Sequence, residues 1–212
     1  MRLYGYFRSS ASYRVRIALS LKGLGYDLAP VHLRRSEQRA PEFLERNPQG
    51  LVPALEDDGS MLTQSLAIIE YLEERFPEPP LLPPALVDRA WVRAMAQIVA
   101  CDIHPINNLR VLQYLENDLG LDDDARAAWA RRWIDDGFAA MEAMLKGDPR
   151  TGRHCFGDGP TLADVCLVPQ VFNSRRVGVD LDRYPTLARI HDDCMRLPAF
   201  ADQAPERQPD AE

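Results

Sequence analysis

The sequence of 212 residues is 46% hydrophobic and 27% charged, which suits a globular protein of one large domain or two small ones. Its formal net charge of -7 argues against general nucleic-acid binding, because neutralising phosphates requires a basic surface. The opening MRLYGYFRSS lacks the basic and apolar regions of a signal peptide, and no segment approaches the roughly 20 apolar residues that span a bilayer. We therefore expect a cytoplasmic protein that binds neither nucleic acid nor membranes.

The four cysteines show no CxxC pair and have no companion histidines at zinc-ligand spacing. No metal site is expected. The thiols are predicted to be reduced, as is usual in the cytosol.

Strand and helix patterns alternate in the first third of the chain. An aromatic-rich strand is followed by a helix, a second strand and a short helix, and an Asp58-Gly59 turn then joins two further strands ahead of a last helix. The predicted order is βαβαββα. The elements are placed at 2–6, 12–22, 26–33, 41–47, 51–57, 60–63 and from Ser65 onward.

The five prolines of PEPPLLPP mark a linker at 77–84, because proline disfavours regular structure. We therefore predict two domains, at 1–80 and 85–212. The second has only helical patterns, at 86–117, 123–146, 161–173 and 185–196. Pro105 is expected to kink or break the first of these helices. The polar tail APERQPDAE is expected to be frayed.

These features together resemble the cytosolic glutathione transferases. The block FRSSASYRVRIAL at 7–19 resembles the signature of the zeta class, with Ala11 where the family pattern has a cysteine. Further similar blocks are spread over the chain: NPQGLVPAL, QSLAIIEYLEE, CDIHPINN, GDGPTLADVCLVPQ and RQPD. The resemblance implies a thioredoxin-like N-terminal domain, an all-helical C-terminal domain and a homodimer.

The resemblance also implies glutathione as the cofactor and a small maleyl-keto dicarboxylate, such as maleylacetoacetate, as the substrate. Transient addition of the glutathione thiolate would turn the double bond into a single bond, about which the molecule can rotate. Three alternatives stay open. They are isomerisation of maleylpyruvate, glutathione transfer to small α-halo acids with loss of halide, and a non-enzymatic dimeric binding module, since a fold alone does not establish activity.

Ser9 and Ser10 lie between the first strand and the first helix, where free backbone N–H groups and the helix dipole favour an anion. An isolated pair of serines there would simply cap the helix. The resemblance implies that one of the two hydroxyls donates to the glutathione sulfur and lowers its pKa. Because Ala11 replaces the family cysteine, no protein thiol is required.

The resemblance implies that the Val52-Pro53 bond is cis, so that the Val52 backbone pairs with the cysteinyl part of glutathione. Gln49, in the preceding turn, is assigned to the same site. Gln64 and Ser65 open a helix whose free N–H groups suit the γ-glutamyl carboxylate.

Arginines are the candidates for binding the substrate carboxylates. Arg8 lies beside the paired serines, and Arg176 resembles the family arginine that reaches the active site from the helical domain. Arg175 leaves the register of that assignment open. Arg110 is a weaker candidate, placed near glutathione by its position after HPINN.

His104 resembles a family position near glutathione and could contact the tripeptide, together with Asn108, or relay a proton. A lone histidine is more often structural. We therefore do not assign His104 as a general base.

Overall fold

The computed structural model describes residues 1–212, which fall into two compact units. One unit comprises residues 1–81 together with 197–212, and the other comprises residues 82–196. The sequence assigned 197–212 to the helical domain, and the structure corrects this by grouping them with the first unit.

The first unit has the predicted βαβαββα order. Its elements are β1 (Arg2–Gly5), α1 (Ser10–Leu21), β2 (Asp27–Pro30), α2 (Pro41–Leu44), β3 (Ala54–Asp57), β4 (Ser60–Thr63) and α3 (Ser65–Arg75). The strands lie in the order β2-β1-β3-β4, with β1 parallel to β2 and antiparallel to β3. Asp58 and Gly59 have φ values of 47° and 75°, as a tight turn between β3 and β4 requires.

Successive residues of a strand point to opposite faces of its sheet, so each face has its own core. Leu3 and its partner Leu55 are fully buried, as are Ile17 of α1 and Ile69 of α3. On the other face Tyr4, Ala54 and Phe43 of α2 belong to one buried cluster. Helices therefore cover both faces of the sheet.

The C-terminal segment, residues 197–212, contains the short helix α9 (Pro198–Ala201) and packs against α1. The Tyr13 hydroxyl donates to Phe200 O at 3.0 Å, and Arg16 donates to Gln203 O from Nε and Nη2 at 3.3 and 3.1 Å. The expectation of a frayed tail at 204–212 was wrong, because Asp210 Oδ2 accepts a hydrogen bond from Phe7 N at 3.0 Å and Gln208 Nε2 donates to Asp202 O and Ala204 O, each at 3.2 Å.

The second unit is helical, with α4 (Leu86–Gln97), α5 (Leu109–Asn117), α6 (Asp123–Leu145), α7 (Leu162–Arg176) and α8 (Pro185–Met195). The break expected near Pro105 is present. A π-helical turn at Ile98–Ile103 and a 3-10 turn at Pro105–Asn107 separate α4 from α5. The single helix predicted at 86–117 is thus two helices. None of the helices in the protein is both long and apolar enough to cross a membrane.

Gly137 of α6 allows the π-helical turn to approach closely. A Cβ on Gly137 would lie 2.3 Å from Ile103 Cδ1, and Ile103 is fully buried. Gly137→Ala should therefore lower the free energy of unfolding by about 1–3 kcal/mol, although alanine is normally the better helix former. Chemical denaturation would measure the loss.

Gly159→Ala is the matched control, because a Cβ there meets no atom within 4 Å and its φ is not positive. If steric conflict is the cause, Gly137→Ala should cost less in an Ile103→Ala background. An equal cost in both backgrounds would contradict this explanation.

Candidate active site

The strand register brings three loops to one end of the sheet. Tyr4 of β1 pairs with Ala54 of β3, and Ala54 pairs with Thr63 of β4. The end of β1, the start of β3 and the end of β4 therefore lie side by side. The loops that continue from them carry the paired serines, the Val52-Pro53 bond and the Gln64-Ser65 pair. We call this the site end of the sheet.

The first loop is a turn formed by residues 6–9, hereafter the serine turn. The Ser9 N–H donates to Tyr6 O at 3.0 Å, with Phe7 and Arg8 at the centre of the turn. Ser9 is also the N-cap of α1, where its Oγ accepts from Ser12 N at 3.2 Å. The capping role expected for an isolated serine is therefore real.

Ser9 and Ser10 differ in exposure. Ser10 is the first residue of α1 and is only 5% exposed, whereas Ser9 is partly exposed. Because Ser9 Oγ accepts a hydrogen bond from the helix, its own proton remains available to donate outward. No acidic residue occupies the first turn of α1 to neutralise the positive end of the helix. Ser9 is thus the better placed of the two to meet an anion.

The second loop is organised by the buried Asn47, which the sequence places in a turn but does not assign to the site. Its side-chain amide donates to Leu51 O at 2.8 Å and its Oδ1 accepts from Gln49 N at 3.1 Å. The Val52-Pro53 bond that follows is cis, as expected. Val52 precedes β3, and its backbone N–H and C=O make no bond to another backbone group. An extended ligand could pair with them.

The third loop has Gln64 at the N-cap of α3 with φ of 69°, a left-handed conformation that is uncommon for residues other than glycine. The Gln64 side chain makes no cap hydrogen bond. Instead its Nε2 donates to Gln49 Oε1 at 2.9 Å. The two glutamines predicted for the cofactor site therefore meet, and they join the second loop to the third.

A buried arginine lies behind the third loop. Arg14 of α1 is 1% exposed, and its Nη1 donates to Ser65 Oγ at 3.3 Å. This leaves the Ser65 hydroxyl proton free to donate to an anion while placing a positive charge beside the start of α3. From the sequence, Arg14 and Arg16 could either add positive potential to the site or be ordinary helix residues, and the contact with Ser65 favours the first role for Arg14.

The candidates of the second unit occupy two segments. His104 ends the π-helical turn and is half-buried, and Asn108 is the N-cap of α5, where its Oδ1 accepts from Arg110 N at 3.3 Å. The side chain of Asn108 is thus partly committed to the helix. Arg110 is exposed.

Arg175 and Arg176 form the last turn of α7, both exposed, so Arg176 does not follow the helix as the sequence predicted. Burial lowers the pKa of His191 in α8, and the charge of Arg175 lowers it further, against a hydrogen bond to the Asp192 carboxylate that raises it. Arg175 therefore lies towards α8. Consecutive helical residues project about 100° apart, so Arg176 points elsewhere.

Two family models match the chain, those of the glutathione S-transferase N-terminal domain at residues 3–80 and C-terminal domain at residues 123–193. A probable maleylacetoacetate isomerase of Vibrio cholerae is 52% identical, over 99% of this chain and 97% of that protein.

Two solved structures are also similar over all of both chains. One, a holo structure of a maleylpyruvate isomerase described as a bacterial zeta-class glutathione S-transferase, has a TM-score of 0.99 at 51% identity. The other is a maleylacetoacetate isomerase from Methylobacterium extorquens AM1 with bound malonate and glutathione, with a TM-score of 0.97 at 43% identity.

The chain belongs to the glutathione S-transferase family. Within it, the chain is similar over its full length to members named maleylacetoacetate or maleylpyruvate isomerase and to a zeta-class structure, as the signature at 7–19 implied.

Proposed function

We propose that the protein is a glutathione-dependent cis-trans isomerase that converts maleylacetoacetate to fumarylacetoacetate. The observation that carries this proposal is the site end of the sheet, where two helix N-termini and an unpaired stretch of backbone adjoin one another. These are the groups that a tripeptide with an anionic sulfur at its centre and a carboxylate at one end requires.

Glutathione is the cofactor, and each of the three loops at the site end of the sheet binds a different part of it. The Val52 backbone before Pro53 pairs with the cysteinyl residue, while Gln64 and Ser65 bind the γ-glutamyl carboxylate with Gln49 beside them. His104, Asn108 and Arg110 are further candidate contacts to the tripeptide, carried over from the family resemblance.

The Ser9 hydroxyl donates to the glutathione sulfur. Because a hydrogen bond to the charged form stabilises it, this contact lowers the pKa of the thiol, as does the positive end of α1. Ser10 is buried in the first turn of the helix and is the second candidate donor. Arg8, next to Ser9, adds positive charge near the sulfur and binds one carboxylate of the substrate.

The thiolate adds to one carbon of the maleyl double bond, and the π electrons move onto the conjugated ketone oxygen as an enolate. Rotation about the new single bond follows. The enolate then returns its electron pair, the double bond re-forms in the trans geometry and the thiolate leaves. Arg8 and Arg176 hold the two carboxylates, and positive charge stabilises the enolate. Glutathione is regenerated and no proton is lost.

The test is the loss of maleylacetoacetate enol absorbance with catalytic glutathione, coupled to fumarylacetoacetate hydrolase. Many turnovers per glutathione are expected. Stoichiometric depletion of glutathione with α-halo acids and no isomerisation would identify a transferase instead. Absence of turnover together with failure to bind immobilised glutathione would indicate a binding module.

Maleylpyruvate is the second candidate substrate, because a relative named maleylpyruvate isomerase is as similar to the chain as the maleylacetoacetate isomerases are. It needs the same chemistry at the double bond. The ratio of kcat/KM for the two compounds, measured in parallel, ranks them.

Ser65→Ala should weaken glutathione binding by about tenfold or more, since a hydrogen bond to a charged group contributes about 1.5–3 kcal/mol. Calorimetric titration of glutathione would measure the change. Ser60→Ala is the matched control, because Ser60 is exposed and lies at the opposite end of β4. Equal affinities for the two variants would remove Ser65 from the binding site.

We also propose that the protein is a cytoplasmic homodimer, as the family resemblance implies. Light scattering at micromolar concentration should give twice the chain mass of 24.0 kDa. A mass of one chain would contradict this.

A further inference from the structure

The C-terminal segment contacts the serine turn at a single backbone position. Asp210 Oδ2 accepts a hydrogen bond from Phe7 N at 3.0 Å, although the two residues are 203 positions apart. Phe7 is a central residue of the turn and immediately precedes Arg8 and Ser9. A carboxylate from the far end of the chain therefore touches the backbone that leads into the proposed catalytic residues.

The other backbone group of Phe7 is also held. Arg16 Nη2 donates to Phe7 O at 3.1 Å, and the same guanidinium donates to Gln203 O in the C-terminal segment. Both peptide groups that flank Phe7 are thus fixed by charged side chains. The dihedral angles of Phe7 and Arg8 decide where the turn places Ser9, so these two contacts fix the backbone that leads to it.

The electrostatics fit this arrangement. Burial lowers the pKa of Arg16 to about 10, and the charge of Asp210 is among those that oppose the shift. Asp210 Oδ1 is buried without a hydrogen-bond partner, so the charge of Arg16 compensates for the cost of burying that carboxylate. Nearby, Glu212 binds His32 at 2.9 Å. The segment is thus held on both sides of Asp210, by the bond from Arg16 to Gln203 O before it and by the contact between His32 and Glu212 after it.

We propose that Asp210 is a positioning residue for the proposed reaction: its carboxylate holds Phe7 so that the serine turn presents Ser9 to the glutathione sulfur. The inference rests on the proposed function, and it assigns a role in thiolate activation to the C-terminal segment. Asp210 does not touch the sulfur itself. It acts through Phe7.

The test compares Asp210→Ala with Asp210→Asn. Both remove a negative charge, but only asparagine keeps an oxygen that can accept from Phe7 N. Loss of charge alone would lower the pKa of the bound glutathione thiol, whereas loss of positioning would raise it. Asp210→Ala is expected to raise this pKa by about half a unit or more and to lower kcat/KM about tenfold, while Asp210→Asn stays within about threefold of wild type.

Ultraviolet thiolate absorbance in the binary complex gives the pKa, and the isomerase assay gives kcat/KM. Glu206→Ala, an exposed change in the same segment, is the control. If Asp210→Ala matches Glu206→Ala in both readouts, or if both Asp210 variants lower the thiol pKa, the proposal is overturned. The proposal is also overturned if the thiol pKa is unaltered and activity falls only in proportion to the loss of folded protein.

The pKa measurement needs no maleyl substrate, so it tests Asp210 even if the wild-type protein proves not to be an isomerase.

Discussion

Ser9→Ala is expected to lower kcat/KM for isomerisation by about 10²-fold. This is the usual effect of removing one hydrogen-bond donor to a negatively charged atom in an active site, here the glutathione sulfur. The pKa of the bound glutathione thiol should rise by about one unit, because the hydroxyl stabilises only the thiolate form. Thiolate absorbance as a function of pH measures this shift, and activity should move to higher pH by the same amount.

Ser10→Ala is the matched control, since Ser10 is buried in the first turn of the helix. It should stay within about threefold of wild type, the effect of a single neutral hydrogen bond. Ser9→Ala also removes a helix cap, at a cost of about 1 kcal/mol in stability. Asp122→Ala, which removes the cap of α6, gives that cost alone. A larger pKa rise for Ser10→Ala than for Ser9→Ala would reverse the assignment.

Arg176→Ala is expected to lower kcat/KM for the dicarboxylate by about 10²-fold while leaving glutathione affinity nearly unchanged, because losing one partner of a hydrogen-bonded charge pair costs about 2–5 kcal/mol. Steady-state kinetics and calorimetric titration with glutathione separate the two effects. Arg176→Lys should recover only part of the loss, since lysine cannot bind a carboxylate with two parallel hydrogen bonds.

The neighbouring Arg175 provides the control. It has the same charge and similar exposure, but it lies towards His191 in α8. Arg175→Ala should stay within about twofold of wild type, as is usual for an exposed charge. If Arg175→Ala proves the more damaging, the register is shifted by one residue. An equal loss of glutathione binding and turnover in Arg176→Ala would remove Arg176 from the substrate site.

Local patterns were sufficient to predict the order of strands and helices in residues 1–81 of the first unit. The alternation of strand and helix signals gave βαβαββα, and Asp58-Gly59 located the hairpin because both residues tolerate the positive φ of its turn. In the second unit, Thr161 and Asp164 form a capping box at the start of α7, which the TLAD sequence predicts because the two residues are three apart; Asp164 Oδ2 accepts from Thr161 N at 2.8 Å.

The errors arose where long-range contacts decide the structure. The polar tail at 204–212 suggests fraying, but Asp210 accepts a hydrogen bond from Phe7 N across 203 residues, and no local pattern encodes such pairing. The helix expected at 86–117 is divided by a π-helical turn that packs against Gly137, as well as by Pro105. The position of this turn depends on its packing against α6, which is distant in sequence.

The candidate site likewise combines features that the local sequence predicts with features that long-range contacts decide. Sequence placed Ser9 and Ser10 at the start of a helix, but only the structure shows that Ser10 is buried and Ser9 is not. The role of Arg14 stayed open and that of Asp210 was missed, because their partners, Ser65 and Phe7, lie in other parts of the chain. Residues that support a site through others are the hardest to recognise from sequence, since their type is not specific to the chemistry.

The central claim is that the glutathione sulfur itself performs the isomerisation. The most direct test replaces glutathione with S-methylglutathione, which keeps both carboxylates and the peptide backbone but cannot form a thiolate. It should compete with glutathione for binding and support no turnover of maleylacetoacetate, while glutathione supports many turnovers without being consumed. Turnover with bound S-methylglutathione, or with no thiol present, would contradict the mechanism.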